Sequence, residues 1–586
     1  MTINKKWWME AVGYQIYPRS FMDSNNDGIG DLPGIISKLD YLKDLGINLV
    51  WLCPIYKSPM DDNGYDVSDF FDIAKEYGTM EDAKTLIKEA HARGIHVIMD
   101  LVLNHTSDEH PWFVEARKSK DNPYRDYYIW QDPKYDEEGN RLPPNNLASF
   151  FEGSCWKYDE TTDQYFMKIF SDKMPDLNWN NPKLRKAMIE MATWWLDQGI
   201  DGFRIDAIAH LGRDLTFSDG EVTPGRKYSQ DWSKFSNRPE IHDYLKELNR
   251  EVFSKYDCVT VGEAGGGATP EQALSYSGYD SHEMNMTFTF DHCWENGAYG
   301  ADTKTDDEIV TNLVSLKDQF TKWQLGLYGK GWNPIYWLNH DHPRVVSQYG
   351  DPKNYHKESA KCLCNVLYFL WGTPFIYNGE EIGMTNVDYT SVEQFNDVWV
   401  KTYYGEAKER GLSEEQILTH LRRSSRANAR TPMQWSSEKY AGFSTHKPWI
   451  DCISNYTTIN VADQINDEDS ILSHYKKVIK LRRDSEYKDT IVYGTYECVD
   501  YENKDVYSYI RKHNNQKILV VSNFFAKNTL LNLEYKIKKV ILSNYKKDYN
   551  SLNNLTLEPF ESVVFEIEKF IYKEVEYSTS FFIIFL

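Results

Sequence analysis

Short apolar runs recur along this chain, each followed by a longer amphipathic stretch, and that alternation limits its fold more than any other feature. Eight runs read as strands: Val12–Tyr17, Leu49–Cys53, His96–Leu101, Gly202–Asp206, Cys258–Val261, Met284–Phe290, Ile335–Leu338 and Phe375–Tyr377. Between them, stretches such as Leu32–Leu45, Glu81–Arg93 and Lys183–Gln198 repeat apolar residues at helical spacing. Buried strands that alternate with helices belong to a parallel sheet. Eight of them predict an α/β fold, a closed (β/α)8 TIM barrel rather than an open sheet. Two segments interrupt the rhythm. One, rich in Tyr, Trp, Asn and Pro, predicts an inserted subdomain after the third strand, over 104–176; the other follows the last strand, at about 385–449. Beyond Tyr493 the pattern becomes short alternating runs, with turns at Asn514-Asn515 and Asn553-Asn554. These predict a C-terminal antiparallel β-sandwich. The expected division is 1–103 and 177–492 for the barrel, 104–176 for the insertion, and 493–586 for the sandwich and tail.

Composition narrows the partners. The chain has 66 basic and 88 acidic residues among 586, a net charge of −22. Such an excess argues against nucleic acid and anionic membranes, whose phosphates attract Lys and Arg. No apolar stretch is long enough to span a bilayer, and Met1 to Pro18 lacks the pattern of a secretory signal. Eight cysteines without a CxxC pair read as free buried thiols in a reducing compartment, so a cytoplasmic protein is expected, as a monomer or weak homo-oligomer. The apolar end, Phe581 to Leu586, has no evident role. Aromatic residues reach 15%, and their flat faces both build cores and stack on sugar rings.

Barrel enzymes carry their chemistry at the C-terminal ends of the strands. Here those ends bring Asn104-His105, Arg204 and Asp206, Glu263, and Asn339-His340-Asp341 to one rim, with Tyr65-Asp66 in the loop after the second strand. No HExxH spacing favours a metal among them, and no GxSxG elbow favours serine chemistry. Three carboxylates suit glycoside hydrolysis: one attacks the anomeric carbon, and one protonates the departing oxygen and later deprotonates water. Arg204 stands two residues before Asp206, on the same strand face, and can keep it ionised. A third acid, Asp341, can bind sugar hydroxyls and favour the positive charge that develops on the ring.

The segments Asp100-Leu101-Val102-Leu103-Asn104-His105, Gly202-Phe203-Arg204-Ile205-Asp206, Val261-Gly262-Glu263-Ala264 and Asn339-His340-Asp341, in that order, resemble the four signatures of glycoside hydrolase family 13, the α-amylase family. Tyr17-Pro18-Arg19-Ser20-Phe21 and Asn428-Ala429-Arg430-Thr431-Pro432-Met433-Gln434-Trp435 look like its branch of oligo-1,6-glucosidases, α-glucosidases, dextran glucosidases, trehalose-6-phosphate hydrolases and sucrose isomerases. The resemblance implies that Asp206 is the nucleophile, Glu263 the acid/base and Asp341 the transition-state stabiliser. It implies that His105, His340, Arg204 and Asp66 hold the first glucose, that Arg430 grips the non-reducing end together with Asp66, and that Tyr65 lies beneath the ring. Phe151 and Phe170 complete its walls, or else pack in the core. The implied activity is a retaining exo-α-glucosidase acting on short isomalto- or malto-oligosaccharides, with no cofactor for catalysis. The alternatives are a transglycosylating enzyme, a sucrose isomerase or a trehalose-6-phosphate hydrolase on the same scaffold. A non-catalytic heavy chain of an amino-acid transporter would carry a membrane helix and lose the acids, which this chain keeps.

Asp23-Ser24-Asn25-Asn26-Asp27-Gly28-Ile29-Gly30-Asp31 sets oxygen side chains at alternate positions around a glycine. Asp23, Asn25, Asp27, the Ile29 carbonyl and Asp31 could bind a hard cation in the manner of an EF-hand loop, without its distant Glu; an Asx-rich turn is the simpler reading. The resemblance implies a structural Ca2+ or Mg2+ there. It also bears on linkage. The residue after the nucleophile tends to be Val in α-1,6 enzymes and Ala or Thr in α-1,4 enzymes, and here it is Ala207. Met174 opens a motif that starts with Gln in oligo-1,6-glucosidases, and Leu421-Arg422-Arg423-Ser424-Ser425 does not match the run expected of a sucrose isomerase.

Overall fold

The computed structural model describes residues 4–265 and 267–569, so the apolar end lies outside the described residues. Eight strands form a parallel sheet: β1 (Gly13–Ile16), β2 (Leu49–Leu52), β3 (His96–Val102), β4 (Gly202–Asp206), β5 (Val259–Glu263), β6 (Met286–Phe288), β7 (Pro334–Ile335) and β8 (Thr373–Tyr377). Their order, β6-β5-β4-β3-β2-β1-β8-β7, closes on itself through a parallel bridge between Met286 and Trp332. The expected barrel is therefore present; seven strands overlap their apolar runs closely, whereas β7 is Pro334–Ile335 and shares only Ile335 with the run expected over Ile335–Leu338.

The strands are buried on both faces, as their composition requires. Outward residues such as Phe203, Ile205, Val97 and Val50 pack into the layer shared with the helices, while Trp51, Ile98, Val261, Phe288 and Phe375 form a second core. Three of those rings, Trp51, Phe288 and Phe375, come from β2, β6 and β8 and contact one another at 5.2–6.3 Å. Alternate strands thus fill one layer of the interior, which makes the barrel a packed plug with a floor for a site at its C-terminal end. The helix expected over Leu32–Leu45 is split at Lys38 into Leu32–Ser37 and Leu39–Leu45, and Gly46 ends the second part in the left-handed region at φ 100°.

The segment between β3 and β4 holds a three-stranded antiparallel sheet of Trp130–Gln131, Gln164–Met167 and Trp156–Asp159. It also holds a short hairpin and the helix Pro111–Ala116, so it is more regular than its polar sequence suggests. At the C-terminal end, β9 (Thr495–Val499), β10 (Val506–His513), β11 (Gln516–Asn523), β12 (Thr529–Leu531), β13 (Tyr535–Ser543), β14 (Leu555–Leu557) and β15 (Ser562–Lys569) make two antiparallel sheets. One has the order β9-β10-β11-β15-β13, the other pairs β12 with β14, and apolar residues of both sheets share one core. Asn514 and Asn554 take φ of 51° and 56° at the expected turns, a conformation that Asn tolerates better than most residues.

Candidate active site

The site is built around β4. Period-two alternation turns Arg204 and Asp206 inward and Phe203 and Ile205 outward. Gly202 allows the strand to start where it does: its φ is +138°, and a Cβ there would meet the Val259 carbonyl oxygen of β5 at 1.9 Å. Arg204 is 1% exposed and lies over the Trp51 ring at 5.0 Å. Its Nη1 donates to Asp100 Oδ1 at 2.6 Å and to Asp206 Oδ1 at 2.7 Å, and its Nη2 pairs with Glu263. Asp100 also accepts from Trp51 Nε1 at 2.8 Å and Tyr65 OH at 3.1 Å. One guanidinium therefore serves three acids, of which Asp206 and Glu263 keep some side-chain exposure, 13% and 20%.

One cation cannot neutralise three buried anions. Burial pushes the Asp100 carboxyl up to about 6 and Glu263 up to about 8, and it raises Asp206 as well. For Glu263 the neighbouring Asp206, Asp341 and Asp100 add to that rise, against the pull of Arg204. Asp341 behaves in the opposite way. Burial would raise it too, but Arg430 Nη2 at 2.9 Å and Arg426 Nη1 at 3.5 Å hold it well below the usual carboxylate range. His340 Nε2 lies 3.2 Å from Asp341 Oδ2. Burial drives that imidazole far down and leaves it neutral, so the two guanidinium groups supply the lasting charge. Its Nδ1 faces the Gln15 amide Nε2 at 3.0 Å and must accept; the Nε2 proton therefore points at Asp341.

The remaining expected residues surround this centre. The buried Tyr65 ring stacks on His340 at 5.0 Å, nearly parallel. His105 Nε2 meets the Tyr65 carbonyl at 3.2 Å, and burial lowers that imidazole to about 4. Phe170 sets its edge on His105 at 5.3 Å, Phe151 sets its edge on Phe170 at 5.5 Å, and Arg426 caps the Phe151 ring at 4.8 Å. Both phenylalanines thus adjoin the site rather than a remote core.

Asp66 and Arg430, expected as a pair, are not partners. The Asp66 oxygens accept from the backbone amides of Asp61 at 2.8 Å and Asp62 at 3.0 Å, which shapes the turn beneath Tyr65. The carboxylate that faces the arginines is Asp62, 2.9 Å from Arg426 and 3.9 Å from Arg430; Asp397 joins it at 2.6 Å from Arg426. The sequence reading missed Asp62, Arg426 and Asp397. Arg426 had a signal, since it precedes Arg430 by four residues and the helix Ala427–Arg430 puts the two on one face. Asp62 stands three residues before Tyr65; Asp397 lies in an insertion with no motif.

In the loop after β1 the oxygens fold inward in successive Asx turns: Asp23 accepts from Asn25, Asn26 and Gly28, Asn25 from Asp27, and Asp27 from Ile29. Asp31 caps a helix through the Gly34 amide and also accepts from Ser24. Among the described residues no group of three or more His, Cys, Asp or Glu side chains converges so as to hold a metal ion. A hollow of about 390 Å3 lies away from the acids, beside the inserted sheet. Its Trp130 is covered by Arg125 at 3.4 Å and by Phe113 at 5.5 Å, and so offers no free ring to a sugar. All eight cysteines are free, and among the described residues no helix is long and apolar enough to cross a membrane.

Comparison with known proteins agrees with this geometry. Residues 15–494 match the family described as alpha amylase, catalytic domain, and residues 506–564 match the alpha-amylase SusG C-terminal domain. An oligo-1,6-glucosidase of Parageobacillus thermoglucosidasius is 48% identical over 571 residues, covering 96% of this chain and 100% of the relative. Among solved structures, the trehalose-6-phosphate hydrolase of Bacillus licheniformis superposes with a TM-score of 0.88 at 42% identity, over 96% of this chain and 100% of that one. A variant of the isomaltulose synthase of Erwinia rhapontici, in complex with sucrose, gives a TM-score of 0.90 at 40% identity, over 97% and 100%.

Proposed function

The chain belongs to the α-amylase family, glycoside hydrolase family 13, in the oligo-1,6-glucosidase branch, and on that premise we propose how its residues divide the work of an exo-acting α-glucosidase. Asp206 attacks the anomeric carbon of a terminal glucose. Glu263 gives its proton to the departing oxygen and then takes one from the water that releases glucose. Asp341, ionised throughout, holds ring hydroxyls and favours the positive charge of the transition state. The observation that carries this reading is the shared guanidinium: Arg204 binds Asp206 and Glu263 through its two Nη atoms. Acids held on one such fork fit the separation of about 5 Å that a covalent, retaining mechanism uses, rather than the wider gap that inversion leaves for water. Environments that push Glu263 up and Asp341 down suit an acid and a permanent anion. Carboxylate chemistry of this kind needs no cofactor.

Asp62, Arg426, Arg430 and Asp397, with Phe151 and Phe170, close the side away from the leaving group, which supports removal of one glucose at a time from a non-reducing end. Tyr65, His105, His340 and Asp66 complete the wall. The relatives favour α-1,6 bonds, while Ala207, small and held at φ 48° beside the nucleophile, leaves room for α-1,4 bonds. The loop Asp23 to Asp31 takes a Ca2+ or Mg2+ through Asp23, Asn25, Asp27, the Ile29 carbonyl and Asp31; its alternate oxygens in one tight turn support this, and the ion is structural. The working units are 1–103 with 177–492, the wall-forming 104–176, and 493–586. Free thiols fit a reducing compartment, and so the cytoplasm.

The test is a panel of isomaltose, maltose, panose, sucrose and trehalose-6-phosphate compared by kcat/KM, with proton NMR of the first product. Isomaltose or panose leads, the first product is α-glucose, and Asp206→Asn abolishes turnover. An initial β-anomer or an active Asp206→Asn overturns the mechanism. Abundant isomaltulose from sucrose overturns hydrolysis as the main activity.

A further inference from the structure

The rim of the barrel has two unlike halves. Asp62, on the loop after β2, and Asp397, Arg426 and Arg430, on the insertion after β8, form a dense net of ion pairs beside the glucose pocket, which also reaches Asp341. The other half comes from the ends of β5, β6 and β7. Glu263 stands on β5 and Asp341 follows β7; β6 pairs with β5 and reaches β7 through the Met286–Trp332 bridge, so the loop after β6 stands over the gap between acid and stabiliser. The leaving oxygen takes its proton from Glu263, and the departing group therefore lies on this half.

The residues found there are aromatic, with one imidazole. His342, directly after Asp341, packs against Phe290 at 5.5 Å and Trp294 at 5.1 Å. Trp294 in turn lies 4.6 Å from Tyr299, and these two rings are 38% and 73% exposed. His342 is only 4% exposed, and neither of its ring nitrogens has a hydrogen-bond partner among the described residues. Buried polar atoms are almost always partnered, and aromatic neighbours cannot serve. Burial lowers the imidazole to about 4, so at neutral pH it offers one donor and one acceptor and no charge. Of the cations on this half, Lys322 pairs with Asp291, Arg410 with Asp302 and Arg423 with Asp306.

We propose that His342, Trp294 and Tyr299 form the leaving-group side of the site and select an uncharged sugar, whose C–H face packs on the exposed ring pair while a hydroxyl satisfies the His342 imidazole. The inference rests on the glucosidase reading of the same site and adds the class of leaving group that it accepts.

Kinetics with isomaltose and with α-glucosyl fluoride test it, because fluoride is too small to reach either ring or imidazole. His342→Ala lowers the ratio of kcat/KM for isomaltose to that for the fluoride by at least about tenfold, the worth of one buried hydrogen bond. His342→Gln, which keeps a donor and an acceptor, recovers most of that ratio, and Trp294→Ala lowers it independently. The wild-type chain cleaves isomaltose in preference to trehalose-6-phosphate. An unchanged ratio in both His342→Ala and Trp294→Ala, or a parallel loss on both substrates, overturns the proposal, as does a preference for the phosphorylated sugar. A wild-type chain that cleaves neither isomaltose nor the fluoride refutes the glucosidase reading itself, whereas one that cleaves both, with variants that keep the ratio, refutes only this inference.

Discussion

Arg204 sits among Asp100, Asp206 and Glu263 as their common cation, and the imbalance between one positive charge and three acids sets how the site titrates. Glu263 must be protonated to act as an acid, so kcat/KM falls as pH rises through about 8; it falls on the acid side as Asp206, itself raised, loses its charge. The two limbs belong to the coupled set rather than to single residues. The same shift acts on stability. A carboxyl raised from 4.5 unfolded to about 8 folded stabilises the chain below the lower value, and that contribution is lost as pH rises through the upper one. Glu263→Gln therefore raises Tm relative to wild type near pH 9, and the gain shrinks toward pH 4, where both states are protonated. Thermal scans at several pH values check this; a Tm difference that does not grow with pH removes burial as the source of the shift.

At the scale of elements, the strands were legible because a strand buried on both faces is an apolar run, and the acids were legible because they end such runs. The grip on the sugar was not. Asp62 and Arg426 are 364 residues apart, on a loop and on an insertion, and nothing local announces that they meet. Asp66 looked like the partner of Arg430 from sequence, yet its oxygens accept from two amides of its own turn. The loop Asp23 to Asp31 is a case where residue types are legible but occupancy is not. The proposed ion predicts that EDTA lowers Tm by several degrees and that Ca2+ restores it, in keeping with the free energy gained when a ligand binds only the folded state. Asp27→Ala abolishes the response. Calorimetry with and without chelator decides, and equal Tm values in both would show that the Asx turns suffice.

At the scale of the whole molecule, the C-terminal sandwich is fastened to the barrel by a buried ammonium. Lys317, 0% exposed, donates to the carbonyl oxygens of Asp500 at 3.4 Å, Asn503 at 2.5 Å and Val506 at 3.1 Å. Tyr509 adds hydrogen bonds to the carbonyls of Asn365 at 3.2 Å and Val366 at 2.9 Å. Lys317→Met takes a donor from three carbonyls, of which Asp500's keeps the Asn503 amide, and costs about 1–3 kcal/mol of stability, judged from the usual penalty for unsatisfied buried polar groups. Denaturant unfolding measures that loss, while kcat/KM at low temperature stays near wild type because no acid of the site moves. A variant as stable as the parent would mean that apolar contact alone joins the two units.

The cylinder itself is sewn unevenly. Seven of its junctions are paired ladders, whereas β6 meets β7 at one isolated backbone bridge, and β7 is two residues long. That loose stitch runs beneath the groups that greet the departing sugar, while the fingers that hold the terminal glucose stand on the firmly laced side. Evolution can therefore retailor what is let go without reworking what is grasped, and a scaffold of this build can change its customers while it keeps its hands.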